Sequence, residues 1–286
     1  MGITRRQAIT VGFGAGITAG AVIGTRTLAQ GADSLRLDRR IVLSGQSLSD
    51  PVRDPLEDLI RAAGGPRAMV ELSTIPGSPL EWRWSNAPGL DLRARMAEFD
   101  VLVLTERVAL SNTVPFHASY DYALRFARLA WDAGADVVIY GTWVTLDTGP
   151  GFAGQGSDPD AGIPWRARLD REGAAWEALR AHVDAQRPAG AAPVRMIPCY
   201  AILAAIDDAV SAGHAPINDI HALFADDIHP SALGAWVVAL AHFAVLYGRN
   251  AAGLTRSAGI SPAIAAWFED VVWRVVTQIP ATGVQR

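Results

Sequence analysis

Residues 40–50, with the sequence RIVLSGQSLSD, decide the fold. Residues 40–43 form a short apolar run, which is typical of a strand buried inside a parallel sheet. A Ser-Gly pair ends that run, and the Asp-Pro pair at 50–51 then supplies the N-cap and first position of a helix over residues 50–63. The stretch therefore predicts a strand, a tight turn that contains serine, and a helix in direct succession.

The same alternation continues along the rest of the chain. Four further apolar runs predict strands, at residues 68–75, 101–104, 136–140 and 194–198. Helical spacing of apolar residues follows at residues 92–99, 120–133, 165–186, 201–212, 231–247 and 261–279. Strands that alternate with helices, without a repeat or linker, predict one parallel, doubly wound sheet. Because ligands of such sheets bind at the carboxyl ends of the strands, the residues after each strand are the functional candidates.

The composition excludes several kinds of partner and site. Half of the 286 residues are hydrophobic and 19% are charged, which is typical of a globular protein with a well-filled core. The formal charge is −4 and no basic run occurs, so nucleic acid is not expected as a partner. The single cysteine, Cys199, excludes an intrachain disulfide and a cysteine-rich zinc site.

Residues 1–30 have the pattern of an export signal. Arg5-Arg6 is followed by apolar residues, and a weakly hydrophobic stretch leads to small residues near Ala29 that a signal peptidase could cut. A retained membrane anchor is the alternative, but the stretch is rich in Gly and Ala and is a poor membrane helix. We expect a twin-arginine signal peptide, a single domain over residues 31–286, a periplasmic or secreted protein, and no stable membrane anchor after cleavage.

Two segments carry chemistry. Ser47 lies in the turn after the first strand, where its hydroxyl would be exposed beside the backbone N–H groups of a helix start. Near the other end, Asp226 precedes His229 by three residues and can turn back onto the imidazole. The alternatives are a helix-capping serine and aspartate with a surface histidine. A metal site is disfavoured, because no further ligands follow at a recognisable spacing.

Taken together, these segments resemble the SGNH (GDSL) hydrolase family. Residues 45–48 read GQSL where the family has GDSL, and residues 226–230 match its Asp-x-x-His-Pro motif. The resemblance implies a flavodoxin-like three-layer α/β/α sandwich with a five-stranded parallel sheet. It also implies a catalytic triad of Ser47, His229 and Asp226 that needs no cofactor and no metal. The family's aspartate in GDSL is not the triad acid, so glutamine at this position is compatible with activity.

The resemblance also implies an oxyanion hole, and here the sequence departs from the family. The backbone amides of Ser47 and Gly77 match two of the family's donors. The third, an asparagine in a Gly-x-Asn-Asp motif after the third strand, is missing, and Thr-Glu-Arg stands there at residues 105–107. Asn112 displaced into the role, Arg107 as a cationic donor, or a hole with two donors are the alternatives.

The substrate class follows from the reaction and from tryptophans near the predicted site. We expect an O-acyl ester, such as an acetyl ester on a carbohydrate, as substrate. Trp82, Trp84 and Trp143 follow the second and fourth strands and could stack on sugar rings or belong to the core. The alternatives are an acyltransferase that uses the same triad and a non-catalytic carbohydrate-binding protein on the same scaffold.

Overall fold

The computed structural model describes residues 36–146 and 162–285, and these form one compact unit built on a five-stranded sheet. The strands are β1 (Arg40–Gly45), β2 (Met69–Thr74), β3 (Val101–Leu104), β4 (Asp136–Gly141) and β5 (Arg195–Pro198). Every neighbouring pair is parallel, and the order across the sheet is β2-β1-β3-β4-β5. This is the flavodoxin-like order of a doubly wound sheet.

Nine α-helices are present in the described part of the chain. They are α1 (Arg53–Ala62), α2 (Leu80–Ser85), α3 (Leu92–Arg95), α4 (Leu110–Thr113), α5 (Ser119–Asp132), α6 (Trp165–Asp184), α7 (Cys199–Ser211), α8 (Ala232–Tyr247) and α9 (Pro262–Gln278). Short 3₁₀ turns occur at Asp50–Val52, Met96–Glu98, Ile220–Leu223 and Pro280–Thr282. None of the helices in this part of the chain is long and apolar enough to span a membrane.

The helices cover both faces of the sheet. Successive side chains of a strand point to opposite faces, so Ile41 and Leu43 of β1 pack into one core while Val42 packs into the other. The first core includes α1, α7, α8 and α9, and the second includes α5 and most of the buried face of α6. The predicted fold class, a three-layer α/β/α sandwich with five parallel strands, is confirmed.

The start of the first helix differs from the prediction. Asp50 does not cap it; its carboxylate accepts a hydrogen bond from the Thr74 hydroxyl at 2.6 Å, at the end of β2. A 3₁₀ turn leads into α1 at Arg53, and Pro55 lies in the first turn of α1, where a missing N–H costs nothing. The predicted helix over residues 92–99 is likewise split into α3 and a 3₁₀ turn. The predicted signal peptide lies outside the described residues.

A histidine is buried in the core. His242, in the middle of α8, is fully buried, and its ring packs edge-on against Tyr140 at 4.6 Å between centroids. Its Nδ1–H donates to the Val238 carbonyl at 2.8 Å, whereas Nε2 has no partner among the described residues. Burial lowers the pKa of His242 to about 4, so the native state holds the neutral ring.

His242 should make the protein sensitive to mild acid. An unfolded histidine has a pKa of about 6.5, so between pH 6.5 and 4 the unfolded chain binds a proton that the native state does not. The free energy of unfolding should therefore fall by about 3 kcal/mol as the pH drops through this window. In His242→Leu this contribution should vanish. Urea unfolding at pH 7 and pH 4 measures it; equal acid losses in the two proteins would contradict the assignment.

Candidate active site

The turn after β1 presents Ser47. The amide of Ser49 donates to the Gln46 carbonyl at 2.9 Å, which closes the turn, and the Gln46 side-chain oxygen accepts the Leu48 N–H at 2.9 Å. Gln46 is buried, so its amide group holds the turn from inside. Gly45 is required because a Cβ there would lie 2.0 Å from the Ser49 hydroxyl oxygen and 2.9 Å from the Thr105 methyl carbon. The Ser47 side chain itself is half-buried and reachable.

The loop between residues 224 and 230 presents His229. One carboxylate oxygen of Asp226 accepts the backbone N–H groups of Ile228 and His229, at 2.9 and 2.7 Å. Its other oxygen lies 2.8 Å from Nδ1 of the His229 ring. These hydrogen bonds, the backbone ones first, lower the pKa of Asp226 to about 2. A carboxylate so held keeps the proton of the neutral imidazole on Nδ1 and leaves Nε2 as an acceptor.

Contacts with the rest of the protein fix this loop in place. The indole N–H of Trp143, just after β4, donates to the Ile228 carbonyl at 2.9 Å, and the amide of Leu146 donates to the Asp227 carbonyl at 2.8 Å. Within the loop, the amide of Ala225 donates to the His229 carbonyl at 2.8 Å. Hydrogen bonds to the backbone carbonyls of the loop, both from the segment after β4 and from within the loop, therefore position His229.

Ser47 and His229, 182 residues apart in the chain, meet at the carboxyl edge of the sheet. The Ser47 hydroxyl oxygen lies 2.9 Å from Nε2 of His229. With Nδ1 held by Asp226, the three side chains form a continuous hydrogen-bonded series from hydroxyl to imidazole to carboxylate. Such a series can remove the hydroxyl proton as the oxygen attacks an electrophile, and it can return the proton to a leaving group.

Gly234, near the start of α8, lies close to both ends of the His229 loop, at Leu223 and Pro230. A Cβ at this position would lie 2.0 Å from the Leu223 carbonyl oxygen, which accepts the Ser231 N–H that closes the loop. Since neither backbone can move freely, a side chain here must displace the segment.

We therefore expect Gly234→Ala to lower the free energy of unfolding by about 3 kcal/mol. It should also reduce turnover, because a displaced His229 no longer meets Ser47. The matched control is Gly89→Ala, where an added Cβ meets nothing within 4 Å. Urea unfolding measures the stability of both variants; a Gly234→Ala protein as stable as Gly89→Ala would contradict the proposed close packing.

The candidate oxyanion donors follow the two strands that flank β1. Gly77 lies in the turn after β2, with a φ of 66° that glycine adopts without strain. Asn112 lies on α4, a helix of one turn. The first N–H groups of this helix, those of Leu110 and Ser111, donate to the carboxylate of Glu172 on α6 at 2.8 and 3.1 Å. Arg107 directly follows β3. The structure thus puts these three residues in segments at the same sheet edge as Ser47.

A buried arginine that no sequence motif marks connects the loops after β2 and β3. The guanidinium of Arg83, on α2, donates to the Ser78 carbonyl at 2.6 Å and to the Thr105 carbonyl. Burial lowers the pKa of Arg83 to about 10, and the negative charge of Glu106 partly offsets that effect. Because β2 and β3 lie on either side of β1, Arg83 links the two loops that flank the strand leading to Ser47.

The tryptophans near this edge differ in exposure. Trp143 is buried, and its indole N–H donates to the His229 loop. Trp84 packs edge-on against Phe126, with 5.0 Å between ring centroids, so both tryptophans belong to the core. Trp82 is 56% exposed and Phe116 is 78% exposed. A hydrogen bond of 2.6 Å between Glu81 and Nδ1 of His117 joins the segments that carry these two rings. Only Trp82 of the three tryptophans thus offers an aromatic face to solvent.

No metal centre competes with this arrangement in the described ranges. Residues 36–146 and 162–285 contain no group of three or more His, Cys, Asp or Glu side chains placed to hold a metal ion. Cys199 is buried, and burial raises the pKa of its thiol far above the usual value, so it is not a nucleophile at neutral pH.

Comparisons with known proteins bear on the fold. No family model and no curated protein matches the sequence at a significant level. A crystal structure of a DUF4886-family protein from Bacteroides uniformis is 17% identical, with a TM-score of 0.61 over 85% of this chain and 96% of that one. TesA and a GDSL-like lipase from Bacteroides thetaiotaomicron are 16% and 13% identical, with TM-scores of 0.45 and 0.38. They cover 72% and 76% of this chain, and the alignments span 96% and 93% of theirs. The chain therefore shares its α/β fold with the DUF4886-family protein.

Proposed function

We propose that this protein is a serine ester hydrolase that acts on O-acyl esters. The observation that carries the proposal is the approach of the Ser47 hydroxyl to Nε2 of His229 at 2.9 Å, with Nδ1 of the same ring 2.8 Å from Asp226. A serine hydroxyl is a poor nucleophile at neutral pH, and a base in hydrogen-bond contact removes that obstacle. The chain order and the motifs at residues 45–48 and 226–230 agree with the resemblance to SGNH hydrolases.

In the first step the Ser47 oxygen bonds to the carbonyl carbon of the ester while its proton passes to Nε2 of His229. The carbonyl π electrons move to oxygen, and the backbone amides of Ser47 and Gly77 stabilise that oxyanion. The oxyanion then reforms the carbonyl, the bond to the leaving alcohol breaks, and Nε2 returns its proton to that alcohol. Asp226 orients the ring and stabilises the imidazolium.

In the second step water takes the place of the alcohol. His229 removes a proton from water as its oxygen bonds to the acyl carbon, a second oxyanion forms, and the bond to Ser47 breaks. The proton on Nε2 returns to the serine oxygen, and a carboxylic acid leaves. The cycle consumes one ester and one water and uses no cofactor.

For the substrate we propose an acetyl ester on a carbohydrate. The exposed rings of Trp82 and Phe116 lie on segments that follow β2 and β3, the strands on either side of β1, and flat aromatic faces pack on sugar rings. The half-exposed His229 leaves the site open, which suits a bulky alcohol part with a small acyl group. Residues 1–30 support export, so we place this chemistry in the periplasm or outside the cell; cell fractionation tests that placement.

Trapping the acyl-enzyme tests the reaction. The protein is mixed with p-nitrophenyl acetate, quenched in acid and digested, and we expect one acetyl group on the peptide that contains Ser47. Acetylated oligosaccharides should then release acetate, and more slowly with Trp82→Ala. Acetyl transfer to added sugar in preference to water would make the protein a transferase. Sugar binding without any acyl-enzyme or ester turnover would favour a carbohydrate-binding protein instead.

A further inference from the structure

Arg107 differs from the other arginines of residues 36–146 and 162–285. Among those that are not on the exposed surface, it alone has a guanidinium without a hydrogen bond, ion pair or aromatic ring contact. Arg83 and Arg180, for example, bond to backbone carbonyls at 2.6 and 3.0 Å. None of its guanidinium nitrogens is among the buried unpaired polar atoms of the described residues, so the group is open to solvent and free to meet a ligand or a reacting atom.

The nearest carboxylate in sequence does not neutralise Arg107. Glu106 is fully buried, and one of its oxygens accepts the backbone N–H groups of Leu80 and of Arg107 itself, at 2.8 and 2.6 Å. The cation that feels its charge is the buried Arg83. Glu106 therefore fixes the backbone of Arg107 while leaving the guanidinium of Arg107 unpaired.

Arg107 and Ser47 follow the paired ends of two neighbouring strands, β3 and β1. The amide of Thr105 donates to the Ser44 carbonyl at 3.0 Å, and the Thr105 methyl carbon lies close to Gly45. Gly45 and Thr105 are therefore side by side at the ends of the two strands. Ser47 and Arg107 each follow that pair by two residues. The Thr113 hydroxyl donates to the Ala109 carbonyl at 2.8 Å and lies 3.3 Å from the Arg107 carbonyl, so α4 packs against this backbone.

From this placement we infer that Arg107 is a catalytic residue that donates to the oxyanion, together with the amides of Ser47 and Gly77. The inference rests on the proposed ester hydrolysis. Negative charge appears on the carbonyl oxygen when the Ser47 oxygen bonds to carbon and His229 takes the proton, and it disappears when the alcohol leaves. A guanidinium stays protonated throughout, so it stabilises this charge without a proton transfer of its own.

Arg107 fits this role better than Asn112. Asn112 lies eight residues beyond the end of β3, on α4, and Glu172 anchors the start of that helix. Arg107 follows the strand by three residues, carries a full charge and has no partner to give up. A donor that need not break an existing contact costs no reorganisation when the oxyanion forms.

The test compares Arg107→Ala, Arg107→Lys and Asn112→Ala on the neutral ester p-nitrophenyl acetate. Arg107→Ala should lower kcat by about 100-fold with little change in KM, because the contact exists only in the transition state. Arg107→Lys should recover part of the loss, and Asn112→Ala should stay within about threefold of the wild type. Arg274→Ala, which removes one exposed charge from α9, is the matched control. Thermal melting confirms that each variant is folded.

The outcomes separate this inference from the proposed function. If the wild type hydrolyses the ester but Arg107→Ala keeps its kcat, the inference is wrong and the hydrolase stands. A loss confined to KM for an anionic ester such as p-nitrophenyl hemisuccinate would assign Arg107 to substrate binding, against the inference. A large loss in Asn112→Ala alone would give the role to that residue. A wild type that neither hydrolyses esters nor forms an acyl-enzyme overturns both proposals.

Discussion

Replacing Ser47 with alanine is expected to lower kcat for ester hydrolysis by about 10⁴- to 10⁶-fold, the largest effect of any substitution in this protein. The variant keeps His229, Asp226 and the backbone amides of the turn, but it lacks the oxygen that bonds to the acyl carbon. Without Ser47 no acyl-enzyme can form, so water would have to attack the ester directly. Initial rates with p-nitrophenyl acetate, corrected for the uncatalysed reaction, measure the effect.

The control for this substitution is Ser49→Ala. Ser49 lies in the same turn, is buried, and contributes its backbone amide rather than its hydroxyl to the hydrogen bond that closes the turn. Its loss should change kcat by less than about tenfold, as expected for a residue that only packs against the site. Equal activity in Ser47→Ala and the wild type would show that the chemistry lies elsewhere.

The second large effect is expected from Asp226→Asn, which should lower kcat by about 10⁴-fold. An asparagine side-chain oxygen can still accept the backbone N–H groups of Ile228 and His229, so the loop keeps its shape. Its NH₂ group, however, would face Nδ1 of His229 and force the ring proton onto Nε2. The imidazole would then present a donor to Ser47 where the reaction needs an acceptor.

Asp227→Asn is the matched control, because Asp227 is the exposed neighbour and only its backbone carbonyl bonds to Leu146. Steady-state kinetics of both variants should show a loss in kcat for Asp226→Asn and none for Asp227→Asn. Unfolding in urea should show both variants folded, with Asp226→Asn somewhat less stable because a neutral oxygen replaces the carboxylate that accepts two backbone N–H groups. An Asp226→Asn enzyme with wild-type kcat would contradict the role given to the carboxylate.

The sequence predicts the sheet well because buried parallel strands leave a local signal. The runs at 101–104 and 136–140 are apolar at nearly every position, and the structure has β3 and β4 there. Helices α2 and α4 were not predicted, since helices of six and four residues show no apolar period. Long-range contacts hold them instead, such as Glu172 at the start of α4.

Sequence patterns identify the reactive side chains of the candidate site but not the long-range contacts that support them. Ser47 and His229 can be picked out because each lies in a short motif, and the strand order brings their segments to one edge. The bridge from Arg83 to Ser78 and Thr105 has no such motif, because it joins loops that meet only after β2 and β3 take their places beside β1.

Trp143 illustrates the same limit. Its position just after β4 suits a sugar-stacking ring and a core ring equally, and only the folded chain shows it buried with its N–H on the His229 loop. The end of a strand determines where a residue lies along the sheet edge, whereas the packing of neighbouring helices determines whether its side chain is exposed to solvent. Exposure separates Trp82, a candidate for substrate contact, from Trp143, which supports the site.

The most direct test of the central claim is the reaction of the protein with a fluorophosphonate, which bonds only to a serine activated by a neighbouring base. We expect one phosphonate per molecule, located by peptide mass spectrometry on Ser47, with labelling lost in Ser47→Ala and strongly slowed in His229→Ala. A folded wild-type protein that takes up no label, or takes it up equally well after Ser47→Ala, would contradict the account.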